Sequence, residues 1–342
     1  MAARRRLTRQ QARRIAGSQR EHARRATGSG TAETVTDGFG PESPGRVAAH
    51  YGGQVEVAPE RAGDAGATSL RCHLRTHLGA LVVGDRVVYR PGTPTGVVVA
   101  RLPRDSLLER PDARGVRRAV AANVDQLVIV FAARPQPHGD LLDRYLVAAE
   151  AMGAEPLLLL NKTDLLADRD LAEALNALLA PYGELGYRLL RTRRETAAAD
   201  LGAALRGRTS ILVGQSGVGK TSLVNALLPG VGRATGALSG SRYKGRHTTT
   251  TAELHDLPGG GRLIDSPGIR EFGLDHLPAQ TVAAGFREFR PFLGRCRFRD
   301  CRHGEEPGCA LLAAVARGVV SEQRLASYRR ILAASPESGQ PP

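Results

Sequence analysis

The sequence predicts a multidomain chain. It should hold an OB-type β-barrel near the N-terminus, a central α/β domain built on a phosphate loop, and a small α-helical metal-binding domain near the C-terminus. Three observations predict this. Short β-rich runs separated by turn dipeptides occupy residues 46–115. From about residue 120, continuous apolar runs alternate with helically spaced ones, and one run leads into a glycine-rich loop ending in Lys220-Thr221. Beyond residue 275 the pattern turns helical, and Cys296, Cys301, His303 and Cys309 crowd together. A length of 342 residues fits two or three domains at roughly 100–200 residues each.

In chain order, residues 1–44 are expected to be a disordered basic arm, because Arg4, Arg5, Arg6, Arg9, Arg13 and Arg14 have no balancing acid. Residues 45–115 are expected to be the barrel. Val55 and Val57 alternate with polar neighbours, as do Leu70, Cys72 and Leu74. Leu81–Val83, Val87–Tyr89 and Val97–Val99 follow, punctuated by Gly52-Gly53, Gly84-Asp85 and Pro91-Gly92. A five-stranded OB barrel suits this length and charge.

Residues 116–275 should form the α/β domain. Leu127–Phe131, Leu157–Leu160 and Ser210–Val213 read as strands buried on both faces. Leu141–Met152, Leu171–Leu179 and Ser222–Leu228 read as the intervening helices, the alternation of a parallel sheet. Residues 276–334 should be the helical metal-binding domain, with Ser321 capping a last helix through Leu332, and residues 335–342 a disordered tail.

The net charge of +14 and pI of about 10.5 point to a polyanionic partner such as RNA. Codon bias in a GC-rich genome explains why lysine is confined to Lys162, Lys220 and Lys244, but not why bases outnumber acids 48 to 34. No run of about 18 apolar residues is present. The N-terminus lacks the apolar stretch of a secretory signal. A cytoplasmic protein without a membrane span is therefore expected, and a monomer.

Gly214-Gln215-Ser216-Gly217-Val218-Gly219-Lys220-Thr221 matches the phosphate-loop pattern, after an apolar strand and opening a helix. Its backbone N–H groups and helix N-terminus suit a β-phosphate. Lys220 should bridge the β- and γ-phosphates, and the Thr221 hydroxyl, followed by Ser222, should meet Mg²⁺. Asn161-Lys162-Thr163-Asp164 supplies a base site directly after a strand. The Asp164 carboxylate accepts from guanine N1–H and the 2-amino group, donors that adenine lacks there, and the Lys162 stem can lie over the ring.

These strings resemble the translation-factor class of GTPases. Because Asn161–Asp164 precedes Gly214–Thr221, the order resembles that of the circularly permuted GTPases: base motifs, phosphate loop, then switches. Both motifs sit on loops at one sheet edge, so permutation leaves the site intact. Thr192-Arg193 is the candidate for the second base motif and departs from the family's Ser-Ala. Asp265-Ser266-Pro267-Gly268 resembles the third motif, which implies water-mediated Mg²⁺ contact by Asp265 and a γ-phosphate contact by the Gly268 amide. No Gln follows to orient water.

Gly245-Arg246-His247-Thr248-Thr249-Thr250 closely resembles one permuted family, the small-subunit-dependent ribosomal GTPases called RsgA, YjeQ or EngC. That resemblance implies that Thr248 or Thr249 meets Mg²⁺ and the γ-phosphate and that His247 orients or polarises the attacking water; contact of His247 with RNA is the alternative. It further implies GTP/GDP as ligands, the 30S subunit and 16S rRNA as partners, and a role in small-subunit maturation.

Cys296, Cys301, His303 and Cys309 offer three thiolates and an imidazole, a closed tetrahedral set for one structural zinc, and the family carries the same spacing. Two rival readings remain. A zinc metallochaperone GTPase would carry its cysteines near the phosphate loop. An RNA-binding protein could use nucleotide only structurally, as the missing Gln allows.

Overall fold

The computed structural model describes residues 17, 19–22, 38–60, 68–75, 78–111, 116–229, 252–265, 274 and 277–334. Most of the basic arm, the Gly245–Thr250 string with His247, Thr248 and Thr249, Gly268 and the C-terminal tail lie outside these residues.

Five strands close a barrel: β1 (Ser43–Tyr51), β2 (Gln54–Pro59), β3 (Leu70–Leu74), β4 (Arg86–Arg90) and β5 (Gly96–Arg101). Their order is β1-β2-β3-β5-β4, and β4 returns to β1 antiparallel, so no edge remains open. Its core is aliphatic, with Val47, Val55, Val57, Cys72, Val87 and Val98 fully buried.

Two features depart from the expected strands. β1 is not among them, since Pro44, Gly45 and its small residues disguise it; it becomes a strand because β2 and β4 pair with it on either side. Leu81–Val83 is not a strand. Val83 makes only an isolated bridge to Ala121, and the Val82 N–H is taken by the Asp85 carboxylate at 2.8 Å. The segment is apolar because it is wedged at the junction with the next domain.

A two-stranded hairpin, β6 (Leu107–Pro111) and β7 (Arg117–Ala122), leads out of the barrel; its strands lie on either side of the expected 115/116 boundary. The central sheet then runs through β8 (Gln126–Ala132), β9 (Glu155–Asn161), β10 (Arg188–Arg191), β11 (Thr209–Val213), β12 (Glu253–Asp256) and β13 (Arg262–Asp265). Its order is β10-β9-β8-β11-β13-β12, all parallel except β12.

The chain thus moves outward from β8 to β10, then crosses back to place β11 on the other side of β8. That reversal is a topological switch point, and the crevice outside the strand C-termini there is where open α/β sheets bind ligands. Helices α1 (Gly139–Met152), α2 (Arg169–Glu184), α3 (Ala197–Leu205) and α4 (Lys220–Leu227) cover the sheet. The fully buried strand runs Leu127–Val130 and Leu157–Leu160 are the continuous apolar stretches expected of such a sheet.

The barrel and the central sheet are one hydrogen-bonded surface, since β1 pairs β12 at Ala49 and Glu253. Nearby, Gly84 (φ +87°) donates its N–H to Val47 O, and a Cβ there would lie 2.1 Å from the Ala122 carbonyl oxygen. Only glycine permits that approach of two backbones.

The C-terminal region holds α5 (Ala279–Ala284), a 3₁₀ turn over Arg287–Phe292, α6 (Ala310–Ala316) and α7 (Glu322–Ala333). Ser321 is the N-cap of α7 by position, but its side chain makes no capping bond. The region packs on α1 through Phe286, Phe289 and Tyr328, whose rings lie 4.7–5.9 Å apart. Beside them Arg324 is buried against Asp143 of α1 and Glu288, its Nε 2.6 Å from Glu288 Oε1. Among the described residues, no helix is long and apolar enough to cross a membrane.

Candidate nucleotide and metal sites

The phosphate-loop residues Gly214–Gly219 leave the C-terminal end of β11 and turn into α4 at Lys220. The Lys220 ammonium lies 2.6 Å from the carbonyl oxygens of both Gly214 and Gln215, folded over the loop where a phosphate chain would sit. Thr221 and Ser222 occupy the first turn of α4. The helix N-terminus directs its partial positive charge at the same place.

Asn161 ends β9, so the base motif begins at the same sheet edge. Two bonds join it to the phosphate loop. The Asn161 Nδ2 amide donates to Val218 O at 3.0 Å, and Lys162 Nζ donates to Gly217 O at 2.5 Å. Gly219 (φ +99°) makes the first of these possible: a Cβ there would stand 2.5 Å from Asn161 Nδ2. Lys162 itself takes the left-handed conformation (φ 58°), which starts the 3₁₀ turn Thr163–Ala167. That turn leaves Asp164 exposed, with its carboxylate available to a ligand.

Thr192 ties the second base loop to the first, and sequence reasoning missed its role. Its buried hydroxyl donates to Asn161 Oδ1 at 3.2 Å, while its carbonyl accepts from both the N–H and the hydroxyl of Thr163 at 3.1 Å. The departure from Ser-Ala therefore keeps a hydroxyl where the base motif needs an orienting donor. The sequence did carry a signal, a threonine directly after the short strand β10. The loop after β8 also borders the site, with Pro135 Cδ 3.8 Å from where a Gly217 side chain would begin. Nothing in its composition marks that.

Asp265 ends β13, the parallel neighbour of β11, so this carboxylate and the Thr221 hydroxyl arise from adjacent elements. A hydroxyl and a carboxylate are the hard oxygen donors that Mg²⁺ takes alongside substrate phosphates. His247, Thr248, Thr249 and Gly268 lie outside the described residues, so geometry assigns them nothing.

The metal cluster is compact. The candidate ligand atoms of Cys296, Cys301, His303 and Cys309 all lie within 4.8 Å of one another. His303 Nδ1 is 3.6, 3.5 and 3.4 Å from the sulfurs of Cys296, Cys301 and Cys309, and Cys296 and Cys309 are 3.9 Å apart. Tetrahedral zinc with Zn–S of about 2.3 Å and Zn–N of about 2.0–2.1 Å needs S···S edges near ~3.8 Å and S···N edges near ~3.6 Å. The set fits one zinc ion and closes around it.

Local structure holds the ligands there. His303 adopts φ 61°, and Cys309 caps α6, accepting from Leu312 N at 3.5 Å. Tyr328 donates to Arg302 O at 3.1 Å, fastening the ligand loop to α7. Burial pushes the Cys301 thiol up to about 12 and lowers the His303 imidazole. A bound cation's charge would favour the Cys301 thiolate, which couples metal binding to folding.

Comparison with known proteins agrees with this geometry. A family model described as RsgA GTPase matches residues 101–275. The chain is 57% identical over 341 residues to a protein of Azotobacter vinelandii named small ribosomal subunit biogenesis GTPase RsgA, covering 98% of this chain and 99% of that one. A protein of the same name from Pseudomonas aeruginosa is 56% identical over 342 residues, with the same coverage.

Among solved structures, YjeQ from Thermotoga maritima matches with a TM-score of 0.71 at 31% identity, over 88% of this chain and 100% of that one. YloQ, described as a circularly permuted GTPase, matches with a TM-score of 0.71 at 27% identity, over 91% and 100%. With the phosphate loop and base motif locked together in permuted order and a zinc-fitting cluster behind them, the chain belongs to the RsgA family of circularly permuted GTPases.

Proposed function

We propose that this protein hydrolyses GTP during late maturation of the small ribosomal subunit, with its turnover stimulated by the 30S particle. The observation that supports this reading most is the pair of bonds from Asn161 and Lys162 to Val218 and Gly217, which joins the candidate base motif to the phosphate loop in permuted order. The +14 charge suits an RNA partner, which we take to be 16S rRNA; we take the protein itself to be a cytoplasmic monomer.

In this reading Asp164 selects guanine, with Asn161 and Thr163 holding its loop and Lys162 lying over the base. The backbone of Gly214, Gln215, Ser216, Gly217, Val218 and Gly219 cradles the phosphates, and Lys220 neutralises the charge between β and γ. Thr221, Asp265 and Thr248 or Thr249 hold Mg²⁺, which neutralises charge on the phosphates when bound. Gly268 contacts the γ-phosphate, and His247 orients the attacking water, as imidazoles often do in proton-transfer chemistry. Zinc is structural here, not cargo: four ligands saturate one ion and leave no position for transfer.

GTP turnover measured alone and with 30S subunits, 50S subunits or free RNA tests the proposal. Slow basal turnover raised many-fold by 30S alone is expected. Equal rates in all four conditions would overturn the particle-gated reading. Single-turnover hydrolysis by His247→Ala tests that residue, and a wild-type rate would remove it from the mechanism.

A further inference from the structure

Large exposed apolar side chains are few among the described residues, and two of them are aromatic: Tyr51 and Phe298, each 44% exposed. Both carry an arginine over the ring. The Arg71 guanidinium carbon is 4.8 Å from the Tyr51 centroid, and that of Arg297 is 5.6 Å from the Phe298 centroid. One pair stands on the barrel and the other on the zinc-binding region, so the two flank the nucleotide domain.

Each ring is presented by a firm support. Tyr51 ends β1 opposite Gln54 of β2, which is opposite His73 of β3, and Arg71 lies across from Glu56. Strand alternation sends Val55 and Cys72 into the barrel core and turns Gln54, Arg71 and His73 outward. The outward face therefore offers an aromatic ring, an amide, an imidazole and a carboxylate; Gln54 Nε2 is 3.2 Å from the His73 ring. Phe298 lies between Cys296 and Cys301, inside the ligand loop, and Arg297 is anchored by its N–H to Gly308 O at 3.0 Å.

An exposed aromatic ring backed by a guanidinium has two roles in solution. It is tolerated surface, or it receives a flat, electron-rich partner. The stacking of an unpaired nucleobase on such rings contributes about 1–3 kcal/mol per base and tolerates any sequence. In structured RNA, unpaired bases are the parts that splay out onto aromatic and arginine planes. The excess positive charge of the chain favours RNA over an apolar protein partner, and it lies beside the ring at Phe298, among Arg295, Arg297, Arg299 and Arg302.

We infer that Tyr51 and Phe298 are base-stacking platforms, one on each flanking module, that receive unpaired nucleotides of the partner RNA. This rests on the ribosomal reading above and adds the class of RNA element recognised. The two platforms differ in their surroundings. At the barrel platform Glu56, 3.5 Å from the Tyr51 hydroxyl, offsets the Arg71 charge, so this platform takes a base by stacking and not by its phosphate. Phe298 sits among Arg295, Arg297, Arg299 and Arg302, so its base arrives with its phosphates held.

The test uses the full-length, zinc-loaded protein as wild type, Tyr51→Ala, Tyr51→Phe and Phe298→Ala. Probes are fluorescein-labelled 12-mers of oligouridylate and oligoadenylate and a 12-base-pair RNA duplex, titrated at two salt concentrations. Zinc content and thermal unfolding confirm that each variant folds. Each alanine variant is expected to weaken single-strand binding by about five- to a hundredfold, the range of one lost stack. Duplex binding and the salt slope should be unchanged, since no phosphate contact is removed, and Tyr51→Phe should bind as wild type does.

Wild-type affinity in both alanine variants, equal losses on single strand and duplex, or no single-strand binding by the wild type would each overturn the platforms. The 30S-stimulated turnover of the same proteins separates the two proposals. A wild type that 30S does not stimulate overturns the ribosomal reading. Stimulation with unchanged alanine variants overturns the platforms alone.

Discussion

The two modules flanking the nucleotide domain are attached by different physics. The barrel joins through main chain: β1 pairs β12, and Gly84 lets its backbone meet Ala122. The C-terminal region joins through side chains: Arg324 is buried against Asp143, pairs with Glu288, and lies over the Phe286 and Tyr182 rings, while Tyr182 donates to Asp143. Backbone joints tolerate most side-chain changes and fail only where a Cβ cannot fit. Buried charges fail whenever one partner is removed, because the others stay desolvated and unpaired. The barrel is also complete without help, whereas the C-terminal region is short and relies on its metal.

The largest test of that contrast is metal removal. Structural zinc contributes an apparent ~10–16 kcal/mol in small zinc modules. A strong chelator should release one zinc per chain and open residues 277–334 to trypsin while the barrel stays resistant. A C-terminal region that remains protected after zinc loss would mean that the buried charges and rings suffice.

Arg324→Met comes next. It leaves Asp143 and Glu288 facing apolar groups, at a cost of about 3–5 kcal/mol, read as a lower unfolding midpoint in urea. The triple change Arg324→Met, Asp143→Asn, Glu288→Gln should recover part of that. If the single and triple variants unfold alike, the network is not what holds the region down.

On the barrel side, Gly84→Ala is expected to lose about 1–3 kcal/mol, from positive φ and the backbone clash together. Substitution of Tyr51, the exposed residue of β1, should move the midpoint far less. A neutral Gly84→Ala would show that the joint is looser than its geometry implies.

Thr192→Val probes the nucleotide site between the two joints. Losing the hydroxyl that orients Asn161 should weaken GTP binding about fivefold, or ~1 kcal/mol, with both attachments intact by proteolysis.

The smallest effect is on pH. Burial lowers the pKa of His50 in β1 from its ordinary 6.5, so the fold holds it neutral while the unfolded chain takes up a proton. Stability is full above pH 6.5 and declines as pH falls through it toward the lower folded value, a small loss because the ring is only partly buried. His50→Gln should flatten that decline in thermal melts between about pH 5 and about pH 7, the range that brackets the unfolded imidazole's titration.

The strings that carry chemistry were legible because each is short and contiguous. Gly214–Thr221, Asn161–Asp164 and the Cys296–Cys309 cluster each sit within one loop or beside one helix, so spacing alone exposes what they can bind. The five-stranded barrel was legible from its turns, but two of its details were not. Leu81–Val83 has a strand's composition and serves as a wedge; Ser43–Tyr51 has a turn's composition and serves as the central strand of the barrel's joint. Composition reports whether a residue is buried, not what buries it.

Alone, the amino-acid sequence determined which groups could meet phosphate, guanine, magnesium and zinc, because donor type and local spacing settle that within a few residues. Only the tertiary structure decided that Thr192 would orient Asn161, that two exposed rings would each carry an arginine, and that Arg324 would be buried against Asp143, 181 positions away in the chain. An arginine on a helix reads as a solvated charge. It becomes a core residue only when folding delivers its carboxylate partners and the aromatic planes around it, and no local pattern announces that meeting.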